Sequence, residues 1–179
     1  MARMQDFDRL VLPHLHAAVN LARWLVHDSQ TAEDLVQDAF LRAFRYFDRL
    51  HSNDAKPWLL GIVRNTCFTW LEERRANPAP VELDPEMAES LPAPADGLGI
   101  SPEAWVDKER LRQRVDEAIT ALAPLFREVV VLRELEDLSY AEIAKIVDIP
   151  IGTVMSRLSR ARRELRKTLT DFRSTDCDG

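Results

Sequence analysis

Between Ala76 and Asp107 the chain holds six prolines, seven carboxylates and no lysine or arginine, and no regular element is expected to run through such a stretch. Proline fixes φ and removes a backbone donor. The segment also lacks a sustained apolar period, so it cannot bury enough surface to offset its ordering entropy. It reads as an acidic linker over 76–107, kept extended by self-repulsion. The fold is thereby constrained to two small pieces, 1–75 and 108–172. With a mobile, protease-sensitive linker between them, the free protein is expected to sample many interdomain arrangements. At 179 residues and 46% apolar composition, each piece can form an ordinary core.

Both pieces are helical in period. Leu35, Val36, Ala39, Phe40, Ala43, Phe44 and Phe47 recur at steps of three and four, predicting one buried stripe, and Thr31 with Asp34 looks like its start signal. After the polar loop "DRLHSNDAK" a second helix is predicted over about 57–75, with Trp58, Leu59, Ile62, Val63, Thr66 and Trp70 inward and Gly61, Arg64 and Phe68 outward. Beyond the linker, Leu111, Val115, Ala118, Ile119 and Leu122 mark one amphipathic helix, and Pro124 suits the first turn of the next. Ser139 with Glu142 forms a capping box for a short helix, Pro150 stops it, and a longer helix begins near Gly152. The expected fold class is all-α: two small helical domains joined by a flexible acidic linker, the C-terminal one a helix-turn-helix.

Charge separates that last helix from the rest. From Arg157 to Lys167 six cations stand against Glu164 alone, a local +5 in a chain of net charge −6, so the remainder carries −11. At about 100° per residue, Val154, Leu158, Ala161 and Leu165 share an inward sector, while Ser156, Ser159, Arg160, Arg163 and Lys167 face out and Arg157 lies at the flank. A solvated helix face usually mixes signs. Here a cationic face carries small hydroxyls toward its N-terminal half, as suits a helix entering the major groove, with Arg160 placed for guanine edges or phosphate. A purely solvated face is the alternative.

Other chemistries find little support. Cys67 and Cys177 make no metal spacing, and His14, His16, His27 and His51 are scattered. No Gly-rich phosphate loop or nucleophile–base pair is present, so neither a cofactor nor a catalytic residue is expected. The apolar runs "WLLGIV" and "VVVL" are too short to cross a bilayer, and the cytoplasm is the expected compartment.

Three stretches, "AEDLVQDAFLRAFRYFDRL", "PWLLGIVRNTCFTWLEERR" and "LEDLSYAEIAKIVDIPIGTVMSRLSRARREL", in this order and around this linker, resemble the bacterial extracytoplasmic-function sigma factors of the sigma-70 family. The resemblance implies core RNA polymerase and promoter DNA as partners, and an anti-sigma factor as the device that holds the protein inactive. It gives Asp34, Gln37, Asp38 and Arg42 the rim of a polymerase-docking face. It places capture of a flipped minus-10 base at His51, Ser52, Asn53 and Asp54 of the loop with Asn65, and Arg64 and Phe68 stand beside it for phosphate and stacking. It assigns minus-35 contacts to Thr153, Ser156, Arg157 and Arg160, beside Ser159 and Arg163 of the same outward face. Met155 stands where many members carry arginine, and Glu72 and Glu73 interrupt a run that is often basic. The linker is implied to thread the polymerase cleft as a mimic of nucleic acid. Two readings of other classes remain: a stand-alone helix-turn-helix regulator, and a helical interaction protein that does not bind DNA.

Overall fold

The computed structural model describes residues 2–50, 55–77 and 102–175. Most of the acidic linker, and His51, Ser52, Asn53 and Asp54 of the polar loop, lie outside the described residues. The helices are α1 (Ala2–Leu10), α2 (Leu15–Val26), α3 (Ser29–Arg45), α4 (Ala55–Ala76), α5 (Pro102–Ala121), α6 (Pro124–Val130), α7 (Tyr140–Val147) and α8 (Ile151–Thr175). A π-helical turn, Val131–Leu135, continues α6.

In the N-terminal unit α2, α3 and α4 pack together, and α1 covers one end through Phe7, whose ring meets Phe40, Phe44 and Phe47 edge-on at 6.2, 5.2 and 5.4 Å. Helix α3 starts earlier than Thr31 with Asp34 suggested. Its N-cap is Asp28, whose carboxylate accepts from the Thr31 N–H at 2.6 Å, satisfying a donor that the helix start leaves unpaired. Helix α4 buries Leu59, Leu60, Val63, Thr66 and Cys67, whereas Trp58, Ile62 and Trp70, expected inward, are half-buried. Burial pushes the Cys67 thiol up to about 12, so it stays a neutral packing group.

In the C-terminal unit Pro124 opens α6 at its first turn, and the capping box is formed: Glu142 Oε2 accepts from the Ser139 N–H at 2.7 Å while Ser139 Oγ accepts from the Glu142 N–H at 3.3 Å. Ala118, Ile119 and Leu122 are buried, but Leu111 is 60% exposed. The π-turn holds Val131 and Leu132 in the core and turns Glu134 toward α8 and Glu136 toward the N-terminal unit.

The structure packs the two units on one another, and one buried cluster runs from Phe7 and Val11 to Leu158 and Ala161. The reason lies in α2. Ala17, Ala18, Leu21, Ala22, Trp24, Leu25 and Val26 are all buried, so the helix is apolar on more than one side and takes neighbours from both units. At its end Arg127 of α6 bridges two helix C-termini. Its guanidinium donates to the Ile119 and Leu122 carbonyls at 3.2 and 2.8 Å and to the Trp24 carbonyl at 3.3 Å, and it also contacts His27 Nε2. Free carbonyls and the negative end of each helix dipole favour a cation there.

Accepting from Arg127 requires a neutral His27. Burial, then the Arg127 charge, hold His27 below its ordinary value of 6.5. A depressed value means that the unfolded chain binds more protons here, so the stabilisation is full above 6.5 and falls away as pH drops below it. The thermal midpoint is therefore expected to fall between about pH 8 and pH 5. His27→Asn, which tolerates the left-handed backbone at φ 58°, should flatten that dependence. A slope remains from His14, lowered by burial and Lys56. An unchanged slope in the variant would contradict the role given to His27.

Candidate nucleic-acid interface

Helices α7 and α8 form the helix-turn-helix. Asp148, in the left-handed region at φ 56°, ends α7, and the Pro150 carbonyl accepts from the Thr153 and Val154 N–H groups at 2.9 and 3.2 Å to start α8. Val154, Leu158 and Ala161 are buried. Opposite them Ser156, Ser159, Arg160, Arg163 and Lys167 are exposed, with Thr153 half-buried at the near end. Ser156 Oγ donates back to the Thr153 carbonyl at 3.0 Å.

The basic segment divides in a way its composition does not show. Arg157 donates to Glu128 at 3.1 Å and Arg162 to Glu134 at 2.6 Å, so two of the six cations tie α8 to α6 and the π-turn that continues it. Arg160, Arg163 and Lys167 make no ion pair among the described residues. An outward row of cations beside small hydroxyls is the chemistry that grips phosphates and admits the backbone to a groove.

On α4, Arg64 donates to Glu128 Oε2 at 2.7 Å and to Asn65 Oδ1 at 3.3 Å, and lies over the Phe68 ring at 4.5 Å. Asn65 is exposed at the edge of a cleft of about 380 Å³ between α4 and α7. Trp58, Gly61, Ile62 and Asn65 line one side, Glu142, Lys145 and Ile146 the other. A Cβ at Gly61 would meet nothing within 4 Å, so the glycine borders open space and no backbone approaches it. His51, Asn53 and Asp54 lie outside the described residues.

Asp34, Gln37, Asp38 and Arg42 are all exposed on α3. Among them stands Leu41, 62% exposed, an apolar anchor on a polar face.

Four residues of this surface escape a reading of the sequence: Lys56, Glu128, Glu136 and Leu41. Lys56 Nζ donates to the Glu136 carbonyl at 2.7 Å and pairs with its carboxylate at 3.1 Å. Glu128 is fully buried between Arg64 and Arg157. Burial raises its carboxyl, against the hydrogen bond and charge of Arg64 and the charge of Arg157. A signal did exist, because Arg127 and Glu128 interrupt the apolar run "PLFREVVVL", and charges set among core positions demand partners.

Comparison with known proteins assigns both units. Sigma-70 region 2 matches residues 10–77 and Sigma-70, region 4 matches residues 112–165. The RNA polymerase sigma-H factor of Pseudomonas aeruginosa is 35% identical over 165 residues, 91% of this chain and 86% of the relative. The ECF RNA polymerase sigma-E factor of Escherichia coli K12 is 37% identical over 161 residues, 89% and 84% respectively. Among solved structures, the sigma factor RpoE in complex with the anti-sigma factor NepR from Bartonella quintana superposes with a TM-score of 0.71 at 27% identity, covering 93% of this chain and 98% of that one.

Proposed function

This chain belongs to the extracytoplasmic-function class of the sigma-70 family, and from that premise we propose how its residues divide the work of a sigma factor, which binds core RNA polymerase and directs it to promoters. The N-terminal unit, 1–75, docks on core polymerase through α3. Asp34, Gln37, Asp38 and Arg42 supply a polar rim, and Leu41 supplies the apolar centre that such interfaces concentrate their energy in. The same unit opens the minus-10 element. Asn65 with His51, Asn53 and Asp54 receives a flipped base, Trp58 walls the cleft, Phe68 stacks and Arg64 takes a phosphate.

The C-terminal unit, 108–172, reads the minus-35 duplex. Thr153, Ser156, Ser159, Arg160 and Arg163 face the groove, and Arg157 stands at its flank, where a phosphate competes with Glu128 for it. The observation that carries this reading is the row Arg160, Arg163 and Lys167 on the second helix of the motif, which makes no ion pair among the described residues. A stand-alone regulator would have no use for a region 2 unit. The chemistry of transcription belongs to the polymerase, which places the protein in the cytoplasm, and an anti-sigma factor is the partner that restrains it.

Asn65→Ala is expected to impair melting of a duplex promoter while leaving polymerase binding intact, because the residue is assigned to base capture. Permanganate reactivity of unpaired thymines in the polymerase complex measures this. Normal reactivity in the variant would remove Asn65 from the site.

A further inference from the structure

The carboxylate of Glu136 is only 7% exposed, yet the partners it holds both come from the other unit: Asn20 of α2 at 2.7 Å and Lys56 of α4 at 3.1 Å. Burying a carboxylate is costly unless it is paired, so Glu136 is satisfied in the packed arrangement and has no such partners without it. Eight residues along α4, Arg64 meets Glu128 in the same way. On the same helix Trp58 and Asn65 wall the cleft whose far side is Glu142, Lys145 and Ile146 of α7. The two cations that α4 carries beside these residues, Lys56 next to Pro57 and Arg64 bonded to Asn65, are thus each held by a carboxylate of the C-terminal unit.

We infer that the packed arrangement is a self-inhibited state in which Glu136 and Glu128 of the C-terminal unit occupy the places of backbone phosphates on Lys56 and Arg64, the cations that grip the minus-10 single strand. This rests on the sigma-factor reading and adds Lys56 to the strand-binding residues. Carboxylate and phosphate oxygens offer these donors the same charge-assisted hydrogen bonds, so one donor set serves either the C-terminal unit or the strand. The closure is selective. Arg160, Arg163 and Lys167 stay exposed, so the free protein keeps its duplex-binding face while its single-strand face is shut. The competent fraction sets apparent affinity, so opening a state that is about ten to one closed strengthens single-strand binding about tenfold.

The test uses the free full-length chain and two probes, a short fluorescein-labelled single-stranded DNA of random sequence and a duplex of the same length, read by anisotropy. Glu136→Ala removes the carboxylate held by Asn20 and Lys56 and leaves Lys56 only the backbone carbonyl. Asp137→Asn, whose side chain is 98% exposed, makes the same change of net charge without touching the N-terminal unit. Glu136→Ala is expected to bind the single strand about tenfold tighter than the parent, with the duplex unchanged and a larger radius of gyration in solution scattering. Asp137→Asn should match the parent on both probes within about twofold. Adding Lys56→Ala to the Glu136→Ala chain should abolish the gain. Equal single-strand binding by the two carboxylate variants, or expansion of Glu136→Ala with no gain, overturns the inference. If circular dichroism shows Glu136→Ala to be unfolded, Asn20→Ala, which cuts the same contact from the other side, decides by the same comparison. Parent chain that directs core polymerase to a promoter while Glu136→Ala shows no gain refutes the self-inhibition alone. Failure of the parent with polymerase refutes the reading beneath it.

Discussion

Glu128→Ala is expected to cost about 3–5 kcal/mol and to lower the thermal midpoint by about 10 °C. The carboxylate is fully buried and is shared by two guanidiniums, Arg64 at 2.7 Å and Arg157 at 3.1 Å, whose side chains are only 15% and 20% exposed. Removing it leaves both cations partly desolvated and unpaired. That penalty, and not any large net benefit of the intact pair, sets the size of the effect. Glu134→Ala is the control. It breaks a 2.6 Å pair with Arg162 whose partners are each 46% exposed, and a pair so solvated is worth about 0–1 kcal/mol. Equal losses in the two variants would mean that Glu128 is not the buried hub described here.

The second large effect concerns promoter reading. Arg160→Ala should weaken binding of the polymerase complex to its minus-35 duplex by about 1–3 kcal/mol, roughly fivefold to 150-fold, and relax preference at one or two positions. Arg160 is exposed on the face opposite Val154, Leu158 and Ala161, so the substitution leaves the core of α8 untouched. Lys167→Ala, farther along the same face, should weaken all sequences alike and lower the salt slope by about one. Position-by-position binding across a set of minus-35 variants separates the two. A uniform loss from Arg160→Ala would reassign it to phosphate.

Local signals carried much of the fold. Pro124, the Ser139–Glu142 box and the spacing of Val154, Leu158 and Ala161 each depend on residues within one helix, and the structure has each where a helical period puts it. Readings failed where the deciding partner lies far along the chain. Leu111 fits the stripe of α5 yet is 60% exposed, because the buried part of that stripe begins only near Ala118. The burial of α2 on more than one side depends on the second unit, so its own sequence shows only an unusually apolar helix. The same holds for the site. That α8 is basic could be read directly. That Arg157 and Arg162 are spoken for, by acceptors 29 and 28 residues away, could not. The Glu136 contacts span 116 residues to Asn20 and 80 to Lys56, and no local pattern announces them. Positions such as Asn65 and Asp38 came from family resemblance, since neither periodicity nor charge distinguishes them from solvated polar residues.

As a sigma factor, this chain gives RNA polymerase its promoter specificity. Purified bacterial core polymerase, transcribing a library of the host's own promoter fragments with and without the full-length protein, measures it directly. The protein is expected to co-elute with core polymerase, and transcripts to start from a restricted set of fragments sharing a minus-35 and a minus-10 element, with Leu41→Asp reducing both co-elution and transcription. A chain that binds duplex DNA but neither associates with core polymerase nor yields promoter-specific transcripts would contradict it.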